Sequence, residues 1–494
     1  MTNLGLENSY TSLPTDFYRF TKPEVMPCLE LLKLNTELAE LLDLDKDFLL
    51  SEDGTMFLGG QALPETTKSI SLAYAGHQFG QLVPQLGDGR ALLLGDKICK
   101  DNQRRDIQLK GSGKTMFSRG GDGRAGIGPV IREYLVSESM HYLNIPTTRS
   151  LAVLLTGEKV IRETIQPGAI LVRVAKSHVR VGTFQFFAIR DQKDHVQRLA
   201  DFIIDRDFQS IKTKKNKYRL LLENVVEGQA NLIAKWMSVG FIHGVMNTDN
   251  TSISCETIDY GPCAFMDNYQ EKKVFSSIDQ FGRYSFSNQA LVGPWNLSRF
   301  AETILFLLSD DQDKSIKIAE EILLNFEKIF NSTFNEITSK KLGFRLASKH
   351  SEKLYNELLA LMESGQADFT ITLRSLESVL QKSCQNNFIN NFVFHEKKQK
   401  NQLNNWLKDW HKLLEREEVD KETAIKRLRS SNPNFIPRNH IIEKVIREAS
   451  EGNFDQFNQL AKALKEPFTH NSSFVDFYNA PKKEELVQQT FCGT

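Results

Sequence analysis

One stretch of the chain, His243-Gly-Val-Met-Asn-Thr-Asp-Asn250 with Asp259-Tyr-Gly261 close behind it, decides the fold class. It follows a largely apolar segment, Leu220–Phe241, whose pattern predicts a buried helix. Asn and Asp are common in tight turns, so the loop by itself predicts only a turn. Their side-chain oxygens are also ligands that Mg²⁺ prefers beside phosphate oxygens. The order of helix, polar loop and second acidic motif favours a metal site over a simple turn.

The spacing inside this stretch matches the active site of a protein kinase. A kinase catalytic loop reads His-Arg-Asp, with a metal-binding Asn seven residues after the His, and a metal-binding Asp-Phe-Gly follows. His243 and Asn250 keep that spacing, and Asp259 begins the related Asp-Tyr-Gly. Gly244 and Val245 replace the kinase Arg and the catalytic Asp. The sequence therefore predicts an α+β, protein-kinase-like two-lobed fold that keeps its metal ligands, Asn250 and Asp259, and lacks the usual base.

The missing base leaves two interpretations open. In kinases the Asp at the position of Val245 accepts the proton of the acceptor hydroxyl. Either this chain is an inactive kinase relative, or another carboxylate takes over that role. Asp249, next to Asn250, is the obvious substitute because it adjoins the predicted metal centre.

Residues 65–190 alternate short apolar runs with glycine clusters, which predicts a β-rich N-terminal lobe. The predicted strands are Ala91–Gly95, Ile107–Lys110 and Ala169–Val174. The fragment Gly-Ser-Gly-Lys-Thr at 111–115 is not a P-loop, because Gln108 stands where that motif requires glycine. Glycine clusters at 85–90 and 119–124 would let backbone amides approach phosphates.

Four charged residues extend this phosphate site. Lys110 ends a predicted strand and precedes a predicted helix with Pro129 in its first turn. A kinase strand lysine binds phosphate and pairs with a helix glutamate, so Glu133 is the expected partner of Lys110. Arg173 and Arg180 would point to opposite faces of one strand. Both can reach one phosphate only if the chain bends between them, and otherwise one of them is a surface charge.

The rest of the chain has a helical pattern. Helices are predicted at Asp194–Asp205 and Trp295–Leu308, and Trp406 and Trp410 are expected to pack in a core at i, i+4 spacing. The predicted organisation is an N-terminal segment at 1–64, the β-rich nucleotide-binding lobe at 65–190, a helical lobe at 191–330 and a helical C-terminal extension with a tail at 331–494.

Composition excludes several classes of function. The chain has 494 residues, 40% of them hydrophobic, and its 62 Lys and Arg equal its 62 Asp and Glu. This balance gives no electrostatic case for a nucleic-acid partner or a membrane surface. We expect a cytoplasmic protein, because no secretory signal, transmembrane run or paired-cysteine motif is evident.

Several longer motifs together point to one family. They are Tyr74–Gly80, Gln108–Gly113, Ser177–Thr183, Gly240–Asn250, Ile258–Pro262, Gly282–Phe286 and Asn432–His440. Over nearly its whole length the sequence resembles the selenoprotein O family, also known as the SelO or YdiU family.

The resemblance implies a kinase-like fold that binds ATP in an inverted orientation. AMP would then be transferred to Ser, Thr or Tyr hydroxyls of protein substrates, and pyrophosphate released, with Mg²⁺ as cofactor. UMP transfer from UTP with Mn²⁺ is also attributed to members. The implied nucleotide-binding residues are Gly87, Gly89, Arg90, Lys110, Asp122, Gly123, Arg173, Arg180 and Asp259. The implied metal ligands are Asn250 and Asp259, the proton acceptor is Asp249, and Glu133 orients Lys110.

The alternatives are a nucleotide-binding pseudokinase scaffold and an atypical protein kinase. Retention of the metal ligands and phosphate cations speaks against a scaffold, and Val245 speaks against a kinase. Members commonly carry Cys or selenocysteine near the C terminus, where Cys492 stands, and a redox role for it stays open. The sequence identifies neither the acceptor proteins nor a groove that would bind them.

Overall fold

Short apolar runs in the first 175 residues pair into an antiparallel sheet of eight strands. The computed structural model describes residues 5–65, 67–381 and 388–491. The strands are β1 (Tyr18–Phe20), β2 (Glu30–Leu34), β3 (Ile70–Leu72), β4 (Gly76–Gln78), β5 (Gln81–Val83), β6 (Ala91–Ile98), β7 (Arg104–Lys110), β8 (Ala125–Gly126), β9 (Arg149–Ile161), β10 (Ile165–Ala175), β11 (Phe241–Ile242) and β12 (Ala264–Phe265). The large sheet has the order β1-β3-β6-β7-β10-β9-β2, with β8 paired to β10. Strands β4–β5 and β11–β12 form separate pairs.

The three predicted strands are confirmed as β6, β7 and β10, which are neighbours in the sheet. Their adjacency positions the site, because Lys110 at the end of β7 lies opposite Ala91 of β6 and Leu171 of β10. A lysine there sits in the middle of the sheet and is braced by hydrogen-bonded strands on both sides.

Helices lie between the strands and continue after the last of them, which makes the chain α+β, as predicted. They are α1 (Thr36–Leu41), α2 (Lys46–Leu50), α3 (Glu52–Leu58), α4 (Ile127–Tyr142), α5 (Val181–Ala188), α6 (Lys193–Asp207), α7 (Lys217–Ser238), α8 (Gln289–Leu308), α9 (Gln312–Lys341), α10 (Lys349–Ser364), α11 (Phe369–Leu380), α12 (Lys397–Arg416), α13 (Lys421–Ser431), α14 (Asn439–Ser450) and α15 (Asp455–Ala463). The expected helices at Pro129, Asp194–Asp205 and Trp295–Leu308 are confirmed as α4, α6 and α8.

Helix α4 is buried on nearly every side, which is unusual for a helix that covers a sheet. One face packs on β9 and β10, and α14 and α15 pack against another face. The Tyr134 ring meets the Phe457 ring edge-on at 5.4 Å, and Arg132 forms an ion pair with Glu443 of α14. The last helices of the chain therefore hold the helix that carries Glu133.

The helix predicted over Leu220–Phe241 ends earlier, at Ser238. Gly240 adopts a φ of +72°, the left-handed conformation that terminates helices, and Phe241 then pairs with Phe265 across β11 and β12. Apolarity alone could not locate this end, because the short strand is as buried as the helix before it.

The prediction that Trp406 and Trp410 pack in a core is confirmed. Their rings stack at 5.9 Å on α12, and the indole N–H groups donate to Leu354 O and Leu342 O. Helix α9 runs through the predicted boundary at 330/331, and the division into four units stays a prediction. Within the described ranges, no helix has the length and apolarity needed to cross a membrane. Cys492 lies outside the described residues.

Candidate active site

Asp259 gathers three cations from three different elements. Lys110 Nζ, at the end of β7, lies 3.1 Å from its Oδ1. Arg173 Nη1, from β10, lies 2.6 Å from the same oxygen. Arg180 Nη1, from the start of α5, lies 2.6 Å from Oδ2. The sequence-predicted phosphate cations thus meet at one predicted metal ligand.

Arg173 and Arg180 converge because the strand between them stops. Strand β10 ends at Ala175, and Arg180 already stands at the N-cap of α5. The bend is fixed by buried His178, whose backbone N–H donates to Asp106 Oδ2 at 2.9 Å. The relative exposure of Arg173 is 1% and that of Arg180 is 2%. The possibility that one of them is a surface charge is therefore wrong.

The charge balance keeps Asp259 ionised. Burial acts to raise its pKa, but the charges of Lys110, Arg173 and Arg180 outweigh burial and hold the pKa well below its usual range. Glu133 is the second carboxylate here, 2.5 Å from Lys110 Nζ and 3.2 Å from Arg173 Nη1. Lys110, Arg173 and Arg180 thus make direct ion pairs with two carboxylates, while the buried carboxyl groups of Asp88 and Asp249 interact with the arginines without a direct ion pair.

Asp249 lies in the short 3₁₀ turn Thr248–Asn250 and is buried. Its Oδ2 accepts a hydrogen bond from Gln78 Nε2 at 3.3 Å, and its backbone oxygen accepts one from Arg180 at 2.7 Å. Its Oδ1 is buried and has no partner among the described residues. Burial raises the pKa of Asp249 to about 6, against the opposing charge of Arg180. A carboxylate with an unused oxygen can accept a proton from a nearby hydroxyl.

The predicted nucleotide and metal residues line one cavity of about 700 Å³. They are Gly87, Gly89, Arg90, Lys110, Asp122, Gly123, Arg173, Arg180, Asp249, Asn250 and Asp259. Gly123 shows why the loop is glycine-rich: its φ is +69°, and a Cβ would lie 2.1 Å from Gly113 O. Glu133 instead lines a neighbouring cavity of about 440 Å³, which Lys110 and Arg90 also border.

Sequence reasoning missed three residues of this site. Gln108 accepts from Arg173 Nε and Nη2 at 3.1 and 2.5 Å and so orients that guanidinium. Gln78 Nε2 donates a hydrogen bond to the Asp249 carboxylate. Arg162 lines the cavity and donates a hydrogen bond to each carboxylate oxygen of Asp122, at 2.8 and 2.9 Å. In the sequence, Gln108 stands out through the P-loop comparison and the motif Gln108–Gly113, but neither indicates a contact with Arg173. Arg162, which follows the end of β9, has no signal in the sequence.

Comparison with known proteins decides the family. Residues 1–465 match the family model described as "Protein adenylyltransferase SelO". The chain belongs to the SelO family. It is 49% identical to the protein nucleotidyltransferase YdiU of Rhodopseudomonas palustris strain BisB5 over 489 residues, which cover 99% of each chain. Identity is 47% to the YdiU of Nitrobacter hamburgensis, covering 99% of this chain and 96% of the relative. It is 46% to that of Rhizobium meliloti, with both chains fully covered.

This membership confirms the resemblance read from the motifs and makes the chain an enzyme of a nucleotidyltransferase family. In this SelO-family site, position 244 requires glycine for a local reason. Its φ is +80°, and a Cβ would lie 2.8 Å from Pro262 O, so a side chain would be strained. His243 is buried, and its Nε2 lies 2.9 Å from Ile258 O, so it joins the loop to the Asp-Tyr-Gly segment.

The oxygens of the SelO-family site fit a hard cation. Asn250, Asp249 and Asp259 border the same cavity, and Asp249 Oδ1 is unpartnered among the described residues. Asn250 donates its side-chain N–H to Val245 O at 2.9 Å, which leaves its amide oxygen out of that bond. The described residues form no group of three or more His, Cys, Asp or Glu suited to a metal. Such a sparse ligand set is compatible with Mg²⁺, which commonly takes one or two carboxylates and completes its shell with phosphates and water.

Proposed function

We propose that this enzyme transfers AMP from ATP to Ser, Thr or Tyr hydroxyls of protein substrates and releases pyrophosphate. The observation that carries the proposal is the meeting of two buried arginines and the half-buried Lys110 at Asp259, close to Asp249, whose Oδ1 is unpartnered among the described residues. The cations suit the phosphates of a nucleotide, and the free oxygen suits a proton acceptor. The charges of the site do not decide whether the α- or the γ-phosphorus is attacked. The name of the family favours attack at the α-phosphorus, which transfers AMP.

The arrangement of the site supports a two-lobed, protein-kinase-like fold. The pair Lys110–Glu133 joins strand β7 to helix α4, as the kinase lysine pairs with its helix glutamate. Asn250 and Asp259 follow a buried helix on two successive loops, in the kinase order. The proposed N-terminal lobe centres on the sheet and α4, and the proposed helical lobe begins after residue 190, with α6.

The phosphates and Asp259 compete for the same cations. We propose that Lys110, Arg173 and Arg180 turn from Asp259 towards phosphate oxygens when ATP binds, while Glu133 retains Lys110. Backbone amides of Gly87, Gly89 and Gly123 would approach the phosphates with Arg90, and Asp122 would act by holding Arg162 at the cavity. These residues would contact the phosphates, which ATP and UTP share, and not the base. We therefore propose UTP as a second nucleotide donor.

Asn250 and Asp259 would hold Mg²⁺ or Mn²⁺, which when bound would neutralise phosphate charge and organise the oxygens. Asp249 would accept the proton of the acceptor hydroxyl. The hydroxyl oxygen then forms a bond to the α-phosphorus, and the bond from that phosphorus to the bridging oxygen of the β-phosphate breaks. Pyrophosphate leaves with that electron pair, and AMP remains on the protein as a phosphodiester.

ATP labelled at the α- or at the γ-phosphate tests the proposal. Incubation with Mg²⁺ or Mn²⁺ and acceptor protein should leave label on protein from α-labelled ATP only. Label from γ-labelled ATP alone would identify an atypical kinase. No label from either would favour a nucleotide-binding scaffold, and both of these results contradict the proposal.

A further inference from the structure

A second cavity, of about 600 Å³, opens beside the active-site cavity. The two share Phe79 and Ile278 as lining residues, so they adjoin each other. We call the second cavity the flanking groove and define it by Phe79, Ile278, Phe281, Arg283, Leu291 and Trp295. It lies between the segment that follows Asp-Tyr-Gly and the first turns of α8.

The rim of the flanking groove is apolar and open to solvent. Phe281 is 97% exposed, Leu291 70% and Ile278 56%. Single exposed apolar residues are ordinary on protein surfaces. Three around one concave groove are a feature of binding surfaces, because each costs free energy in water that a bound apolar group would recover.

Polar residues also line the groove, and Arg283 is the cation among them. The Arg283 guanidinium lies over the Trp295 ring, 4.6 Å from its centroid. Its Nε is buried and has no hydrogen-bond partner in the described parts of the chain. Asp279 accepts from the backbone N–H groups of Arg283 and Tyr284 at 2.9 and 2.8 Å, which fixes the turn that presents this arginine. An N–H donor beside apolar walls suits a polypeptide, which offers a carbonyl oxygen next to a side chain.

Hydrogen bonds join the wall of the groove to Asp249. The Tyr284 hydroxyl donates to Asn247 Oδ1 at 2.6 Å and accepts from the Phe79 backbone N–H at 3.1 Å. Gln78, one residue before Phe79, donates to Asp249 Oδ2. A segment lying in the groove would therefore be held at a fixed position relative to the proposed base.

We propose that the flanking groove binds an apolar side chain of the acceptor polypeptide, close in sequence to the hydroxyl that receives AMP, and that the Arg283 guanidinium donates to a backbone carbonyl of the same segment. This inference rests on the proposed function. A polypeptide is favoured over a lipid surface because the apolar residues border a concavity and do not form the apolar face of a basic amphipathic helix. It is favoured over a second copy of the chain because the groove adjoins the active-site cavity, where an acceptor hydroxyl must arrive.

Synthetic peptides with a single Tyr in a Gly, Ala and Lys background provide the probe. A Leu is moved one position at a time along each side of the Tyr, and AMP transfer from α-labelled ATP is measured for the wild type and for Phe281→Ser/Leu291→Ser. We expect the wild type to favour Leu at one or two positions. The double variant should raise KM for those peptides by about tenfold or more, with kcat little changed, as loss of apolar burial predicts.

The matched control is Leu324→Ser, which removes a leucine that is 78% exposed on helix α9. It should behave as the wild type, and Phe281→Leu should retain most of the preference. Wild-type labelling without a Leu preference, or equal KM for the double variant and the control, overturns the groove and leaves AMP transfer standing. No labelling of any peptide or protein by the wild type overturns the proposed function and the groove with it. A wild-type dimer that the double variant converts to monomer, with unchanged peptide KM, identifies a contact between copies instead and also overturns the inference.

Discussion

Asp259 is the residue on which the site depends, because it neutralises three cations that a nucleotide would also bind. Removing one partner of a buried ion pair leaves the other charges uncompensated, which costs more than the pair itself contributes. If the Asp259 carboxylate is removed, a bound polyanion should neutralise the same cations and restore the lost stability. This gives a test that needs neither a metal nor catalysis.

Asp259→Asn should lower the free energy of unfolding by about 3 kcal/mol, since buried Arg180 then loses its directly paired carboxylate and Lys110 and Arg173 share only Glu133. Pyrophosphate added in EDTA should raise the Tm of this variant more than that of the wild type. Thermal unfolding with and without pyrophosphate measures both effects, and transfer activity should be lost. Asp122→Asn is the control, because its partner Arg162 is more exposed and the pair contributes less than about 1 kcal/mol. An Asp259→Asn protein that is as stable as the wild type and indifferent to pyrophosphate contradicts the account.

Asp249→Ala tests the proposed base. Turnover should fall by about 10²- to 10⁴-fold, the usual contribution of general base catalysis, while ATP affinity changes little. Gln78→Ala, which only frees Asp249 Oδ2 from its neighbour, should have a smaller effect. Single-turnover rates and equilibrium ATP binding separate the two quantities. Unchanged turnover with weakened ATP binding would make Asp249 a nucleotide ligand.

At the scale of elements, the strands and helices that carry the site could be predicted, because their apolar periods are strong and local. The bend between Arg173 and Arg180 could not, since it depends on Asp106 holding His178 across the sheet. The packing of α14 on α4 could not be predicted either, because contacts between segments far apart in sequence leave no local pattern. The flanking groove was missed for the same reason: Phe79 and Trp295 are far apart in sequence.

Helix α9 ends at Lys341, a buried lysine without a carboxylate partner among the described residues. Its Nζ donates to Ser431 O at 2.8 Å, and burial lowers its pKa to about 7. In the unfolded chain the pKa is about 10.4, so between these values the unfolded state holds the extra proton. Stability therefore rises as pH rises above 7.

Relative to Lys341→Met, the wild type should gain about 2 kcal/mol of stability between pH 7 and about pH 9. Urea unfolding at several pH values measures the difference. Lys412→Met, which removes an exposed lysine of α12, should leave the pH dependence as in the wild type. Parallel curves for the wild type and Lys341→Met would show that Lys341 stays charged in the folded protein.

At the scale of the whole molecule, the last helices are tied to the segment that follows Asp-Tyr-Gly. Arg438, at the N-cap of α14, is buried and donates to Asp267 at 2.7 Å and to Asp368 at 2.8 Å. Asp267 stands two residues after β12, and Asp368 caps α11. The C-terminal helices therefore join α4 to the loop region of Asp259, although they contribute little to the proposed chemistry.

Arg438→Met should lower the free energy of unfolding by about 3 to 5 kcal/mol, because it leaves two buried carboxylates unpaired. Chemical denaturation measures the loss. Arg416→Met, at the exposed end of α12, is the matched control and should change stability by less than about 0.5 kcal/mol. If the two variants are equally stable, the ion pairs of Arg438 do not stabilise the contact of α14 with the segments that carry Asp267 and Asp368.

A kinase-like site that uses Asp249 as its base, in place of the usual kinase Asp, should transfer the adenylyl group of ATP. Mass spectrometry of acceptor protein after incubation with the wild-type enzyme, ATP and Mg²⁺ or Mn²⁺ reads out the group that is transferred. The account predicts Ser, Thr or Tyr side chains that carry an adenylyl group, with the same sites unmodified when Asp259→Asn is used. Side chains that carry a phosphoryl group instead would contradict it.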